Sequence, residues 1–370
     1  MVIGFTFVFG EVGVRWFTDF RYTAPPIFAP SEIIPWQLKP DVRTIQQGYW
    51  NDFRVTITTN HLGYRDEEFS PEKLPGRFRI LALGDSFTFG FGVENEEAYP
   101  EVLERLLNER VETSSLRYEV INAGFASGYA PDTALAYFRH QGFALKPDLV
   151  LLGYFGGNDL SDLSYTQWAE VDQQGLPLRI TTKVTYVDSL GRLRTASWLG
   201  MWGSAPVGRS ALQRVKVLAR DHSQFLNFVV QQYRLWMISR GRTLDLDHFP
   251  STGEEHLRAA VAKLDRTLTG LKMAVEKCGS HLLIVDIPWR ERVSAGESSD
   301  SEALIQAWAA QHHVPLVDLA RSLKGSDDLY FRVDSHWNAR GHAAAAQAIL
   351  TSLDRMALAP ARRVSGTPRT

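Results

Sequence analysis

Ser86 is set in LALGDSFTFGFG (81–92), where an apolar run ends in Gly84 and Asp85 and further glycines follow at Gly90 and Gly92. Glycine on both sides lets the backbone turn tightly and present a hydroxyl to open space, as a nucleophile requires. The same serine equally suits the N-cap of a following helix. Far along the chain, YFRVDSHWNARGH (330–342) holds Asp334 and His336 with one residue between them. An imidazole bonded to a carboxylate can take a proton from a hydroxyl, because the acid fixes its tautomer and stabilises the imidazolium. His312, His313 and His342 read as capping or packing residues. Two further loops follow apolar runs, INAGFASGYA (121–130) with Gly124 and Gly128, and YFGGNDLSD (154–162) with Gly156, Gly157, Asn158 and Asp159. A glycine N–H and an asparagine amide aimed at one point make an oxyanion hole. Gly-Gly-Asn-Asp also makes an ordinary turn. Together these groups suit acyl transfer through a covalent intermediate, and they imply no metal and no organic cofactor.

Such groups need a scaffold that gathers them, and the apolar runs predict one. FRILALG (78–84), YEVINAG (118–124), DLVLLGYF (148–155), HLLIVDIP (281–288) and VPLVDL (314–319) are too continuously apolar to have a face in water. They alternate with amphipathic stretches near 98–110, 132–143, 254–277, 300–312 and 340–355, the pattern of an α/β protein whose parallel sheet carries helices on both faces. In the longest of these, Leu257, Val261, Leu264, Leu268, Leu271 and Val275 form one stripe, Thr252 and Glu255 a capping box, and Gly279 the helix stop. Ligands of such sheets bind beyond the carboxyl ends of the strands, which is where all four loops fall.

Residues 1–77 and 161–250 lie outside the alternation and are expected as an N-terminal extension and an insertion in a domain of 78–356, with 357–370 a disordered tail. Tyr165, Trp168, Tyr186, Trp198 and Trp202 make the insertion either a cap over the sheet edge or plain packing. The apolar run at 2–9 reads either as a first element packed on the body or, within 1–17, as the remnant of a membrane anchor, the one route to membrane association. With 40 basic against 42 acidic residues, no field favours nucleic acid, and a lone cysteine, Cys278, excludes an intrachain disulfide while leaving the compartment open.

GDS on the first strand, a glycine loop on the second, G-x-N-D on the third and a C-terminal Asp/His pair resemble, in order, the four blocks of SGNH (GDSL-like) hydrolases. The resemblance spans about 60–356 and includes TNHLGYRDEEF (59–69), similar to an N-x-x-G-[FY]-R segment that precedes the GDS strand in many bacterial members. It implies a three-layer α/β/α, flavodoxin-like sheet of about five strands. It also implies a serine esterase with Ser86 as nucleophile, His336 as base and Asp334 as acid, and an oxyanion hole from Ser86, Asn158 and a glycine. For that glycine Gly128 is preferred to Gly124, although one residue more than usual separates it from Asn122. Asp85, Gly124, Asp159, Trp289 and Trp337 are candidates to line the substrate pocket; Trp289 and Arg290 also suit surface packing. The two-residue Asp334–His336 step departs from the usual three, and Asp-x-His-Trp-Asn is similar to membrane-linked SGNH proteins and alginate-type O-acetyltransferases. Transfer of an acyl group to a glycan is therefore the alternative to hydrolysis of a small-molecule or glycan ester, and a non-catalytic binding protein the third reading.

Overall fold

The computed structural model describes residues 2–17, 25–48, 52–110, 116–125, 129–182, 185–195, 253–295 and 299–360, with short pieces between 223 and 236. Trp198, Trp202, Thr252, Gly128 and residues 361–370, to which several expectations attach, lie outside the described residues.

After α1 (Val2–Phe17) come two antiparallel pairs, β1 (Phe28–Pro30) with β2 (Trp36–Leu38) and β3 (Arg43–Gln47) with β4 (Arg54–Thr58). The central sheet begins with β5 (Arg77–Gly84), followed by α2 (Ser86–Phe89), α3 (Tyr99–Glu109), β6 (Arg117–Gly124), α4 (Pro131–His140), β7 (Leu149–Phe155) and α5 (Asp159–Tyr165). A hairpin of β8 (Thr166–Val171) and β9 (Pro177–Thr182) and a pair of β10 (Thr185–Val187) and β11 (Leu193–Thr195) interrupt the alternation. It resumes with α6 (Gly253–Lys277), β12 (His281–Ile287), α7 (Arg290–Ala295), α8 (Asp300–Gln311), β13 (Leu316–Asp318), α9 (Leu319–Ser322) and α10 (Ala339–Met356).

The five long runs form one wholly parallel sheet in the order β13-β12-β7-β5-β6. Numbered within the sheet this is the flavodoxin-like order, which reverses direction beside β5, the strand that leads into Ser86. Successive residues face opposite layers. Ile80 and Ala82 join the layer of α3 and α10, while Leu81 and Leu83 join that of α4, α6 and α8. The strands are buried on both faces, which is why they read as unbroken apolar runs.

Two local expectations are corrected. The fifth strand pairs only over Leu316–Asp318, because Asp318 accepts from Arg321 N–H at 2.9 Å and starts α9 at Leu319. In α6, Leu264, Leu268, Leu271 and Val275 are buried, but Leu257 is exposed and Ala260 takes the inner position. Gly279 does adopt a positive φ of 72° and stops that helix. Residues 25–70 are built into the main core: Ile27, Trp36, Leu38, Ile57 and Tyr64 share one apolar cluster with Leu81, Leu83 and Ile121. In the insertion, β9 packs on α4 and β10 on β1, and Trp168 Nε1 donates to the buried Asp132 carboxylate at 2.6 Å. In α1, Val14 is buried while Trp16 and Phe17 are exposed, and among the described residues no helix is long and apolar enough to cross a membrane.

Candidate active site

The turn that presents Ser86 is seated on three neighbouring strands through three glycines. A side chain at Gly84 on β5 or Gly153 on β7 would collide with Thr88, and one at Gly124 on β6 would collide with the backbone of Thr88 and Phe89. Their absence lets α2 sit directly on the carboxyl edge of the sheet, with Ser86 as its first residue. Asp85 is its N-cap and accepts from Phe87 N–H at 2.9 Å, so Ser86 is not the cap. As the first helical residue Ser86 carries one of the N–H groups that the helix ladder cannot use. Gly90 closes the turn in the left-handed conformation, φ 84°.

The N-x-x-G-[FY]-R segment holds this turn from outside. Asn60 Oδ1 accepts from Leu62 and Tyr64 N–H at 3.0 and 2.9 Å, making a tight turn that delivers Arg65 into the interior. There the fully buried guanidinium donates to Phe89 O at 2.6 Å, to Gly90 O and Val93 O, and to Asn95 Oδ1 at 2.9 Å. One side chain thus serves three carbonyls at the end of the short helix and in the turn after it.

Asp334 and His336 come to the same edge on the loop before α10. Ser86 Oγ and His336 Nε2 are 2.7 Å apart, and His336 Nδ1 lies 2.5 Å from Asp334 Oδ1, which also accepts His336 N–H at 3.0 Å. That double engagement is what a two-residue spacing allows: the acid caps the backbone of its own base. The imidazole lies between the rings of Phe87 and Phe91, with centroids 4.9 and 4.5 Å away. Reasoning from sequence missed both rings, since an aromatic one or five positions after a serine carries no distinguishing signal.

The remaining candidates divide. Asn158 stands at the N-cap of α5, and its side-chain oxygen is buried with no hydrogen-bond partner among the described residues. Gly124 N–H is already taken by Asn122 Oδ1 at 3.1 Å, and its position is one of close packing, so it neither lines a pocket nor offers a spare donor. Trp337 is a correction as well. It is fully buried against Phe87 and His342, because Tyr330 and Trp337 pair across the loop and turn the indole inward. Asn338, the last residue of that block, caps α10 by accepting from Arg340 and Gly341 N–H.

Asp85 and Asp159 are buried beneath the turn and do not line an open surface. Burial pushes the Asp85 carboxyl up to about 6 against the Phe87 N–H and the neighbouring His336. Burial, with Asp85 close by, holds Asp159 well above the usual carboxylate range, although Phe155 N–H donates to it at 3.0 Å. Trp289 is half-buried against Phe155, ring centroids 5.0 Å apart, and covers Gly157. His342, buried, accepts from Tyr99 N–H at 3.2 Å, and burial drives its pKa down to about 3, a neutral capping residue as expected. His312 stacks on Trp308 with centroids 4.5 Å apart.

The model of the GDSL-like Lipase/Acylhydrolase family matches residues 82–344. Among solved structures the chain is similar to a two-domain esterase (CEX) active on acetylated mannans, with 12% identity and a TM-score of 0.41 over 80% of this chain and 53% of that one. It is also similar to TesA, with 14% identity and a TM-score of 0.40 over 75% of this chain and 99% of that one. A catalytic mutant of Axe2, an acetylxylan esterase from Geobacillus stearothermophilus, shows 14% identity and a TM-score of 0.38 over 76% and 96% of the two chains. The chain thus spans about half the length of the two-domain esterase, and no curated protein matches it significantly.

Proposed function

The chain belongs to the GDSL-like lipase/acylhydrolase family, a family of ester hydrolases, and on that premise we propose that it cleaves carboxylic esters through Ser86. The observation that carries this reading is the continuous relay from Ser86 Oγ through His336 to Asp334, with steps of 2.7 and 2.5 Å. His336 Nε2 takes the hydroxyl proton as Oγ attacks the ester carbonyl carbon, and Asp334 holds the imidazolium that results. Negative charge gathers on the former carbonyl oxygen, and Ser86 N–H and the Asn158 side-chain N–H are the proposed donors to it. Gly128 is the third donor in this proposal, a role for which the engagement of Gly124 N–H leaves room. The imidazolium returns its proton to the departing alkoxide, leaving an acyl-enzyme on Ser86. Water, deprotonated by the same imidazole, then releases the acid.

Trp337 and Asn338 are used in folding the loop and starting α10, so that part of the Asp-x-His-Trp-Asn block gives no support to a glycan acceptor over water. The test is hydrolysis of p-nitrophenyl esters of increasing chain length by the parent protein and Ser86→Ala. Turnover is expected to fall by several powers of ten in the variant, together with loss of fluorophosphonate labelling. Unchanged ester cleavage refutes the reading.

A further inference from the structure

A two-residue acid–base spacing places unusual demands on its loop, because Asp334 must accept from both the backbone and the ring of His336. The loop has little regular structure of its own; it is held by Phe331 N–H on His336 O at 3.0 Å and the Tyr330–Trp337 bridge. What grips it from outside is the hairpin of the N-terminal extension. Asp52, between β3 and β4, accepts from three successive N–H groups, those of Arg332 at 3.1 Å and of Val333 and Asp334 at 2.7 Å each. Three consecutive amides converging on one carboxylate form a nest, filled here by a side chain from 280 residues away. The carbonyl side of the loop is taken by Arg290, whose guanidinium donates to Phe331 O, to Arg332 O at 3.3 Å and to Asp334 O at 2.7 Å. A negative and a positive group thus hold opposite polarities of one peptide segment.

The hairpin also touches the nucleophile's side. Phe53 packs between Phe91 and Phe331, with ring centroids 5.4 and 5.0 Å away, and Gln46 Oε1 accepts from Gly92 N–H at 3.1 Å. Phe91 in turn lies on the imidazole. One hairpin is therefore fastened to both the turn after Ser86 and the loop that carries Asp334 and His336.

We infer that Asp52 is a positioning residue for ester cleavage: it acts through the Asp334–His336 loop, holding the base in register with Ser86 without touching substrate. This rests on the reading of Ser86, His336 and Asp334 given above. With the clamp removed, Asp334 aligns less well with Nδ1 and stabilises the imidazolium less, so turnover falls and the acid limb of the pH–rate profile moves to lower pH.

The experiment measures p-nitrophenyl acetate hydrolysis across pH by Asp52→Ala and Asp52→Asn, each made in the parent and in His336→Ala, with Ser86→Ala as control. Displacement of a reacting group by about 1 Å costs on the order of 100-fold, so kcat of Asp52→Ala is expected to drop roughly 10–100-fold while KM stays within about threefold. Asp52→Asn, which keeps a carbonyl acceptor for the nest, should recover most of the loss, and neither change should alter the residual rate of His336→Ala. A parent-like kcat and pH profile in Asp52→Ala, or an equal fall in the His336→Ala background, overturns the inference. If Asp52→Ala does not purify folded, Asp52→Ser, whose shorter side chain cannot reach all three amides, is read in its place, and a parent-like kcat and pH profile there overturns it. Loss of activity in Ser86→Ala beside an unaffected Asp52→Ala defeats only the clamp; an unaffected Ser86→Ala defeats the reading beneath it.

Discussion

Gly124→Ala should nearly silence the protein although the residue touches neither His336 nor substrate. A Cβ there would stand 2.6 Å from the Thr88 carbonyl carbon and 2.8 Å from Phe89 Cα, where ordinary contact begins at 3.4 Å. These neighbours are backbone atoms of α2, so no side chain can swing away; either α2 or the end of β6 must withdraw by about 1 Å. Such a displacement carries Ser86 Oγ out of its 2.7 Å contact with Nε2. Misplacement on that scale costs about 100-fold in kcat, roughly 2.7 kcal/mol of transition-state stabilisation. Overpacking a rigid site costs roughly 1–3 kcal/mol more in folding stability. The assay is kcat and KM for p-nitrophenyl acetate together with the thermal melting temperature. Alanine keeps the backbone N–H, so the loss would report steric displacement and not a missing oxyanion donor. A folded Gly124→Ala protein with parent-like kcat would refute the claim that α2 is seated on this glycine.

Two other perturbations follow from buried charges. Arg65→Met should destabilise the fold by at least roughly 2 kcal/mol, since the carbonyls of Phe89 and Val93 lose their donor at about 1–3 kcal/mol each while Gly90 O keeps Val93 N–H; chemical denaturation measures it, and a loss below about 1 kcal/mol refutes the role. Burial, with Glu302 and Asp318 nearby, pushes the Asp286 carboxyl up to about 8. The folded protein then keeps a proton that the unfolded chain releases near ~4, so this contribution is full below that pH and is lost as pH rises toward 8. Asp286→Asn retains an acceptor for Gln306 Nε2 and should flatten the decline of melting temperature between these limits; an unchanged slope refutes it.

The sequence by itself determined the sheet, its five strands and the residues at their ends. Continuous apolar runs and the glycine, serine and asparagine that follow them are local patterns, and they place Ser86 and Asn158 on one edge of the sheet, whereas His336 reaches that edge only on the loop before α10. It also marked the histidines that cap and pack. What only the tertiary structure decided depends on contacts between distant segments. Trp337 looked like pocket lining beside His336 but is core, because its loop pairs back on Tyr330. Asp85 and Asp159 sit in site motifs yet are buried beneath the turn, and Gly124 offers no free donor because Asn122 takes it. The hairpin at 43–58 carries no motif, and Asp52 looks like any acidic turn residue until three amides some 280 residues away converge on it. A hydrogen bond across that separation leaves no periodicity in the chain, which is why the elements were legible and the grip on the acid–base loop was not.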